Sequence, residues 1–332
     1  MINPEFIQHI LNLHAKLEFH NDCLWFCVLE IKSSKIESVE QAIHVVKKAS
    51  KALDGFCSKL EINSVLDEVK GIFDDFGITK GLDKAGVKFD FEPDYQSIVA
   101  RIIYIYKTQS LESSDKSAWM ELSKLINRDK DNSAYKKYGI YSDILLSLYN
   151  YLSEEDKSSK IQAEIELLEE YIKKLEGLYS YHSDPAFKRF ASPVKGSRAI
   201  VAEGAFSINA VALEISKLRA KLITKRKDST MLERQLALDV MDALHKRKAK
   251  KIPAAVGIIM NSSFVKEFLD NRTIFRLWKS YHSSLVQAEE YYGVSGRMKR
   301  TITYEHAYGE SSTTLYESAR KVSLEFIQEV GL

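Results

Sequence analysis

Apolar residues recur at spacings of three, four and seven along most of the chain, and this periodicity constrains the fold more than any other feature. In the first segment the pattern is formed by Phe6, Ile10, Leu13 and Leu17. Such spacing places the residues on one stripe of an α-helix. Only 5 prolines and 14 glycines in 332 residues are available to interrupt helices. We therefore expect a mainly α, multi-helix protein with few or no short strands.

Two predicted helices in the second half of the chain bear on function. Thr230 and Glu233 have the spacing of a capping box and predict a helix that runs to about Lys250. Pro253 is expected to end it. A helix over 263–292 is predicted by regularly spaced apolar residues, Phe264, Phe268, Phe275, Trp278 and Leu285.

Two apolar seams near the middle of the chain predict a pair of associating helices. The first seam consists of Ile161, Ile165, Leu168, Ile172 and Leu175. The second consists of Ile208, Val211, Ile215, Leu218 and Leu222. Residues 181–199 contain Pro185, Pro193 and Gly196 and cannot continue one helix. The seams predict either an antiparallel helical hairpin over about 156–222, two ordinary amphipathic helices, or a structural homo-oligomer held through 161–175 and 208–222.

Positive charge is concentrated in one part of the chain, although the formal net charge is only +2. Residues 185–300 contain 23 basic and 10 acidic side chains, a net charge of +13. Residues 1–100 contain 11 basic and 16 acidic side chains, a net charge of −5. This asymmetry predicts an acidic helical scaffold domain over 1–183 and a basic helical domain over 184–332, with a loop region near 293–311.

The basic region contains two dense clusters of cations. They comprise Lys217, Arg219, Lys221, Lys225, Arg226 and Lys227, and then Lys246, Arg247, Lys248, Lys250 and Lys251. Clustered cations are typical of surfaces that bind phosphate backbones, where affinity comes largely from counterion release. The alternatives are an acidic protein partner and ion pairs with the chain's own acidic half. Tyr281, Tyr291 and Tyr292 could stack on bases, but their spacing favours the apolar face of a helix.

Two arginine–histidine pairs are the best candidates for catalytic residues. Arg276 precedes His282 with five residues between them, and Arg300 precedes His306 in the same way. This spacing resembles the active-site motif of HEPN ribonucleases, helical proteins in which the arginine stabilises phosphate charge and the histidine transfers a proton. On a helix, His282 is expected on the Phe275, Trp278 and Leu285 stripe. Arg300 and His306, in the glycine-bounded loop, are therefore the preferred pair.

Other chemistry has little support in the sequence. Sequence motifs for nucleotide binding, hydrolase nucleophiles and zinc proteases are missing, so we expect no cofactor. His20, Cys23 and Cys27 share a stripe, but the aromatic residues between the cysteines favour a core position over a metal site. Three cysteines favour a reducing compartment, and no apolar run reaches the length of a membrane span. We expect a cytoplasmic protein without a membrane partner.

The leading functional prediction is a non-enzymatic helical interaction protein. It would contact nucleic acid or another anionic partner through residues 185–300, as an accessory subunit of a nucleic-acid-processing complex. The alternatives are a metal-independent HEPN-like ribonuclease that uses Arg300 and His306, and a structural helical oligomer.

Overall fold

The computed structural model describes residues 3–33, 36–87, 89, 95–107, 115–127, 134–154, 157–183, 211–222, 230–292 and 312–330. Thirteen helices lie in these residues: α1 (Pro4–Ser33), α2 (Val39–Lys59), α3 (Ile62–Asp75), α4 (Ile78–Lys84), α5 (Tyr95–Lys107), α6 (Lys116–Asn127), α7 (Ala134–Leu152), α8 (Lys157–Ser183), α9 (211–221), α10 (Met231–Lys246), α11 (Ile252–Met260), α12 (Asn271–Tyr292) and α13 (Ser312–Val330). The described residues contain no β-strand, so the mainly α prediction is confirmed.

One hydrophobic core contains residues from both sides of the predicted domain boundary at 183/184. α1 packs against α7 and against the carboxy-terminal helix α13. Phe56 of α2 stacks on Phe326 of α13, with 4.3 Å between the ring centroids. The Ser323 hydroxyl donates a hydrogen bond to the carbonyl oxygen of Cys23, at 2.9 Å. In the described residues, therefore, packing does not divide the chain where its charge divides.

The two apolar seams contact each other within the chain. Ile161 and Ile165 of α8 form a small cluster with Val211, Ile215 and Leu218 of α9, separate from the main core. These five seam residues are therefore buried within the chain, whereas Leu168, Ile172 and Leu222 are only partly buried. Most of the connection between the helices lies outside the described residues, so the antiparallel hairpin stays a prediction.

Three local features differ from the predictions. α10 begins at Met231 as expected, but the Glu233 carboxylate accepts a hydrogen bond from the Tyr151 hydroxyl at 2.8 Å instead of completing a capping box. Pro253 lies in the first turn of α11, where its missing N–H costs no helical hydrogen bond. The helix predicted from residue 263 begins only at Asn271.

The late start of α12 has a local cause. The Asp270 carboxylate accepts a hydrogen bond from the backbone N–H of Thr273 at 2.7 Å, which is the geometry of a helix N-cap. This bond lowers the pKa of Asp270, with a smaller contribution from Arg276. The amino-terminal end of α12 is thus fixed by a capping aspartate.

Candidate nucleic-acid interface

The first predicted basic cluster is largely engaged within the protein where the structure describes it. Arg219 forms an ion pair with Glu169 of α8. Lys221 is buried and forms an ion pair with Asp242 of α10. Lys217 is half-buried. Lys225, Arg226 and Lys227 lie outside the described residues.

The second predicted cluster divides into two parts. Its first two cations bind acids of the same chain: Lys246 lies 2.8 Å from Asp242, and the Arg247 guanidinium lies 3.6 Å from Asp143 of α7. Lys248, Lys250 and Lys251 instead lie in the turn between α10 and α11 and are exposed. None of these three forms an ion pair with another described residue. Only the second part can offer its charge to a ligand.

Asp242 is the centre of the buried ion pairs. Its carboxylate also accepts a hydrogen bond from the Tyr281 hydroxyl of α12 at 2.6 Å. Burial alone raises the pKa of Asp242, but Lys221 and Lys246 outweigh that effect and hold it well below its usual range. The arrangement links α9, α10 and α12 through the buried Asp242 carboxylate. Tyr281 is therefore a core residue and is unable to stack on a base. The side chains of Tyr291 and Tyr292 lie outside the described part.

A second basic surface lies along the outer face of α12. We call it the α12 surface, and it consists of Arg272, Phe275, Arg276, Trp278, Lys279, His282, Ser283, Val286 and Gln287. These residues lie three or four apart and span ~22 Å of helix, at about 1.5 Å per residue. Arg272, Arg276 and Lys279 are exposed, and none forms an ion pair with another described residue. No Asp or Glu occurs from Asn271 to Ala288.

Aromatic rings accompany these cations. Phe275 is 59% exposed, which corrects its predicted place on the buried stripe. The buried stripe of α12 is instead formed by Ile274, Tyr281, Leu285 and Ala288. The Trp278 and His282 rings are half-buried, with 4.9 Å between their centroids. Exposed Phe275 therefore lies on the same helical surface as three exposed cations.

The structure describes only one of the two predicted arginine–histidine pairs. Arg276 and His282 both belong to the α12 surface. Arg300 and His306, the preferred pair, lie outside the described residues, as does the whole loop region 293–311. The placement of Arg276 and His282 could have been found from the spacing of Arg272, Arg276 and Lys279, which share one helical face. The two predicted basic clusters contain more cations per residue than α12 does, so cation density alone favours those clusters.

The region of His20, Cys23 and Cys27 is packed as core. All three side chains are buried. Burial, with a smaller contribution from Lys16, lowers the pKa of His20 to about 4. Within the described residues, no group of three or more metal-ligating side chains is close enough to hold an ion.

A scan against protein-family models and searches of curated proteins and of solved structures gave no match to this chain. None of the described helices combines the length and the apolar composition that crossing a membrane requires.

Proposed function

We propose that this protein binds single-stranded nucleic acid through the α12 surface. The observation that carries the proposal is the coexistence of three exposed, unpaired cations with exposed Phe275 on one helical face. Proteins that bind single strands combine cations that follow the backbone with rings on which bases stack. Four of the eight described cations of the denser clusters form ion pairs with carboxylates, and three others, Lys248, Lys250 and Lys251, are exposed.

The exposed lysine turn extends this surface. The backbone N–H of Lys248 donates a hydrogen bond to the carbonyl oxygen of His245 at 2.9 Å. The His245 ring in turn contacts Trp278, with 5.7 Å between the ring centroids. Lys248, Lys250 and Lys251 therefore follow directly after a residue that touches the α12 surface. A strand that leaves α12 would meet additional positive charge there.

This proposal includes the wider role expected from the sequence, an accessory subunit of a nucleic-acid-processing complex in the cytoplasm. The α12 surface has no acidic residue to repel a phosphate. Five of the seam residues of the structural-oligomer alternative, Ile161, Ile165, Val211, Ile215 and Leu218, are buried against one another within the chain. An acidic protein partner would use the same cations, and the experiment below separates it from nucleic acid.

The test is equilibrium binding of labelled single-stranded RNA, single-stranded DNA and duplex DNA at low salt. We expect single strands to bind more tightly than duplex, because only they can stack bases on Phe275. Phe275→Ala should weaken single-strand binding by roughly 5- to 100-fold, which corresponds to about 1–3 kcal/mol for one stacked base. Leu167→Ala, a change at an exposed apolar residue of α8, should leave it unchanged.

Two results would contradict the proposal. If no nucleic acid binds at low salt, the α12 cations serve an acidic protein partner instead. If nucleic acid binds but Phe275→Ala and Leu167→Ala behave like the wild type, binding occurs elsewhere in the basic region.

A further inference from the structure

Two histidine rings touch at the edge of the α12 surface. His245, near the end of α10, and His282 of α12 have ring centroids 5.4 Å apart. Both side chains are half-buried and so remain within reach of a ligand. No other pair of histidine rings is in contact in the part of the chain that the structure describes. Neither ring nitrogen of His282 has a hydrogen-bond partner among those residues.

The chemical surroundings of this pair are suited to a phosphate group. Arg276 and Lys279 precede His282 on the same surface by six and three residues. The acidic side chain that interacts with Arg276 is Asp270, directly before α12, and no carboxylate occurs from Asn271 to Ala288. Trp278 contacts both imidazoles and offers a ring face beside them. His282, Arg276, Lys279 and Trp278 therefore line one open surface, and the His245 ring touches it through Trp278 and His282.

We propose that His245 and His282, with Arg276 and Lys279, form a site that cleaves RNA by transesterification. This inference rests on the proposed function, because the strand must first bind the α12 surface. Two neighbouring imidazoles can act together as a general base and a general acid, since one can be neutral while the other is protonated.

The reaction balances without an oxidant, a reductant or a co-reactant. The neutral imidazole takes the proton of a ribose 2′-hydroxyl, and its oxygen attacks the adjacent phosphorus. The bond from phosphorus to the 5′-oxygen breaks, and the imidazolium gives its proton to that leaving oxygen. Arg276 and Lys279 stabilise the negative charge that accumulates on the phosphate in the transition state. The products carry a 2′,3′-cyclic phosphate and a 5′-hydroxyl, and exchange with water restores both imidazoles.

The test separates cleavage from binding by using two matched RNAs. One is an unmodified single strand, and the other has the same sequence with a 2′-O-methyl group on every ribose, so it binds without a nucleophile. Wild-type protein should cleave only the unmodified RNA in the presence of EDTA. The fragments should carry cyclic phosphate and 5′-hydroxyl ends. The rate should depend on pH with a bell shape, as an acid–base pair requires.

Variants identify the catalytic groups. His245→Ala and His282→Ala should each lower the cleavage rate by about 100-fold or more. Each should also remove one limb of the pH profile when the rate is measured at saturating RNA. His9→Ala is the matched control, because His9 is a 46% exposed histidine of α1 paired with Glu68. His282→Gln, which preserves the volume of the side chain, should be as inactive as His282→Ala while unfolding at the wild-type temperature.

Each outcome has a defined meaning. Cleavage that persists in both histidine variants overturns the inference. Binding of the methylated RNA without cleavage of the unmodified RNA overturns the inference but leaves the proposed function intact. If the methylated RNA does not bind, both fail together.

Discussion

The cluster around Asp242 and the α12 surface use positive charge in opposite ways. The two are close neighbours, because Tyr281 of α12 is hydrogen-bonded to Asp242. Lys221 and Lys246 lie on a buried carboxylate and stabilise the junction of α9, α10 and α12. Arg272 and Arg276 lie on the outer face of the same α12 helix and are unpaired among the described residues. A net charge of +13 over residues 185–300 therefore measures how much charge there is, but not how much of it a ligand can reach.

The comparison predicts its largest effect at Asp242. Asp242→Asn removes the carboxylate that forms an ion pair with the buried Lys221 ammonium, which should lower the free energy of unfolding by about 3–5 kcal/mol. Glu166→Gln, at an exposed carboxylate of α8, should change it by less than about 0.5 kcal/mol. Urea unfolding of the two variants measures the difference. Equal stability would mean that the Asp242 cluster is not a structural centre.

The pH dependence of stability should show the same contrast between a buried histidine, His20, and an exposed one, His9. The folded-state pKa of His20 is about 4, below its ordinary value of 6.5, so the unfolded chain binds the proton more readily between these values. The His20 contribution to stability is therefore complete above pH 6.5 and is lost as pH falls towards 4. Its full size is ~3 kcal/mol, at about 1.4 kcal/mol per pH unit.

Unfolding measured at several pH values checks this expectation. The stability of His20→Gln relative to the wild type should rise as the pH falls from 7 to 4. His9→Gln, at an exposed histidine, should run parallel to the wild type. A His20→Gln curve that also runs parallel would contradict the burial of this imidazole.

Tyr281 and Phe275, two aromatic residues of α12, allow the buried and the exposed face of one helix to be compared directly. Tyr281→Phe removes one hydrogen bond to the Asp242 carboxylate and should cost about 2 kcal/mol of unfolding free energy. Phe275→Ala removes an exposed ring and should cost less than about 0.5 kcal/mol. The reverse order in thermal or urea unfolding would mean that the two faces of α12 are misassigned.

Sequence periodicity predicts most of the longer helices but not the short ones, α4 and α11, and not always the face that a helix buries. Phe275 lies on a regular stripe with Trp278 and Leu285, yet of these three only Leu285 is buried, on the stripe of Ile274 and Tyr281. Phe275 itself lies about 100° from Ile274 around the helix. Both stripes have helical spacing, and only the packing partners of α12 select between them. Proline can end one helix or begin another, so the sequence alone does not show that Pro253 lies in the first turn of α11.

The candidate site was predictable only in part. The α12 surface lies within the predicted basic residues 185–300, but the densest clusters contain the cations that bind Asp242, Asp143 and Glu169. Asp143 and Glu169 are distant in sequence from the cations that they bind, and Asp242 is a single carboxylate among many cations. Local charge density therefore does not reveal these ion pairs. The contact between His245 and His282 also joins two helices and has no local motif.

The most direct test of the account is the salt dependence of single-stranded RNA binding. The combined variant Arg272→Ala, Arg276→Ala and Lys279→Ala is compared with a control that removes three exposed lysines elsewhere, Lys173→Ala, Lys174→Ala and Lys321→Ala. We predict that the slope of log affinity against log salt becomes shallower by about 2 in the first variant, at ~0.7 per lost phosphate contact, and stays at the wild-type value in the control. Equal slopes in all three proteins would contradict the assignment of the nucleic-acid contact to the α12 surface.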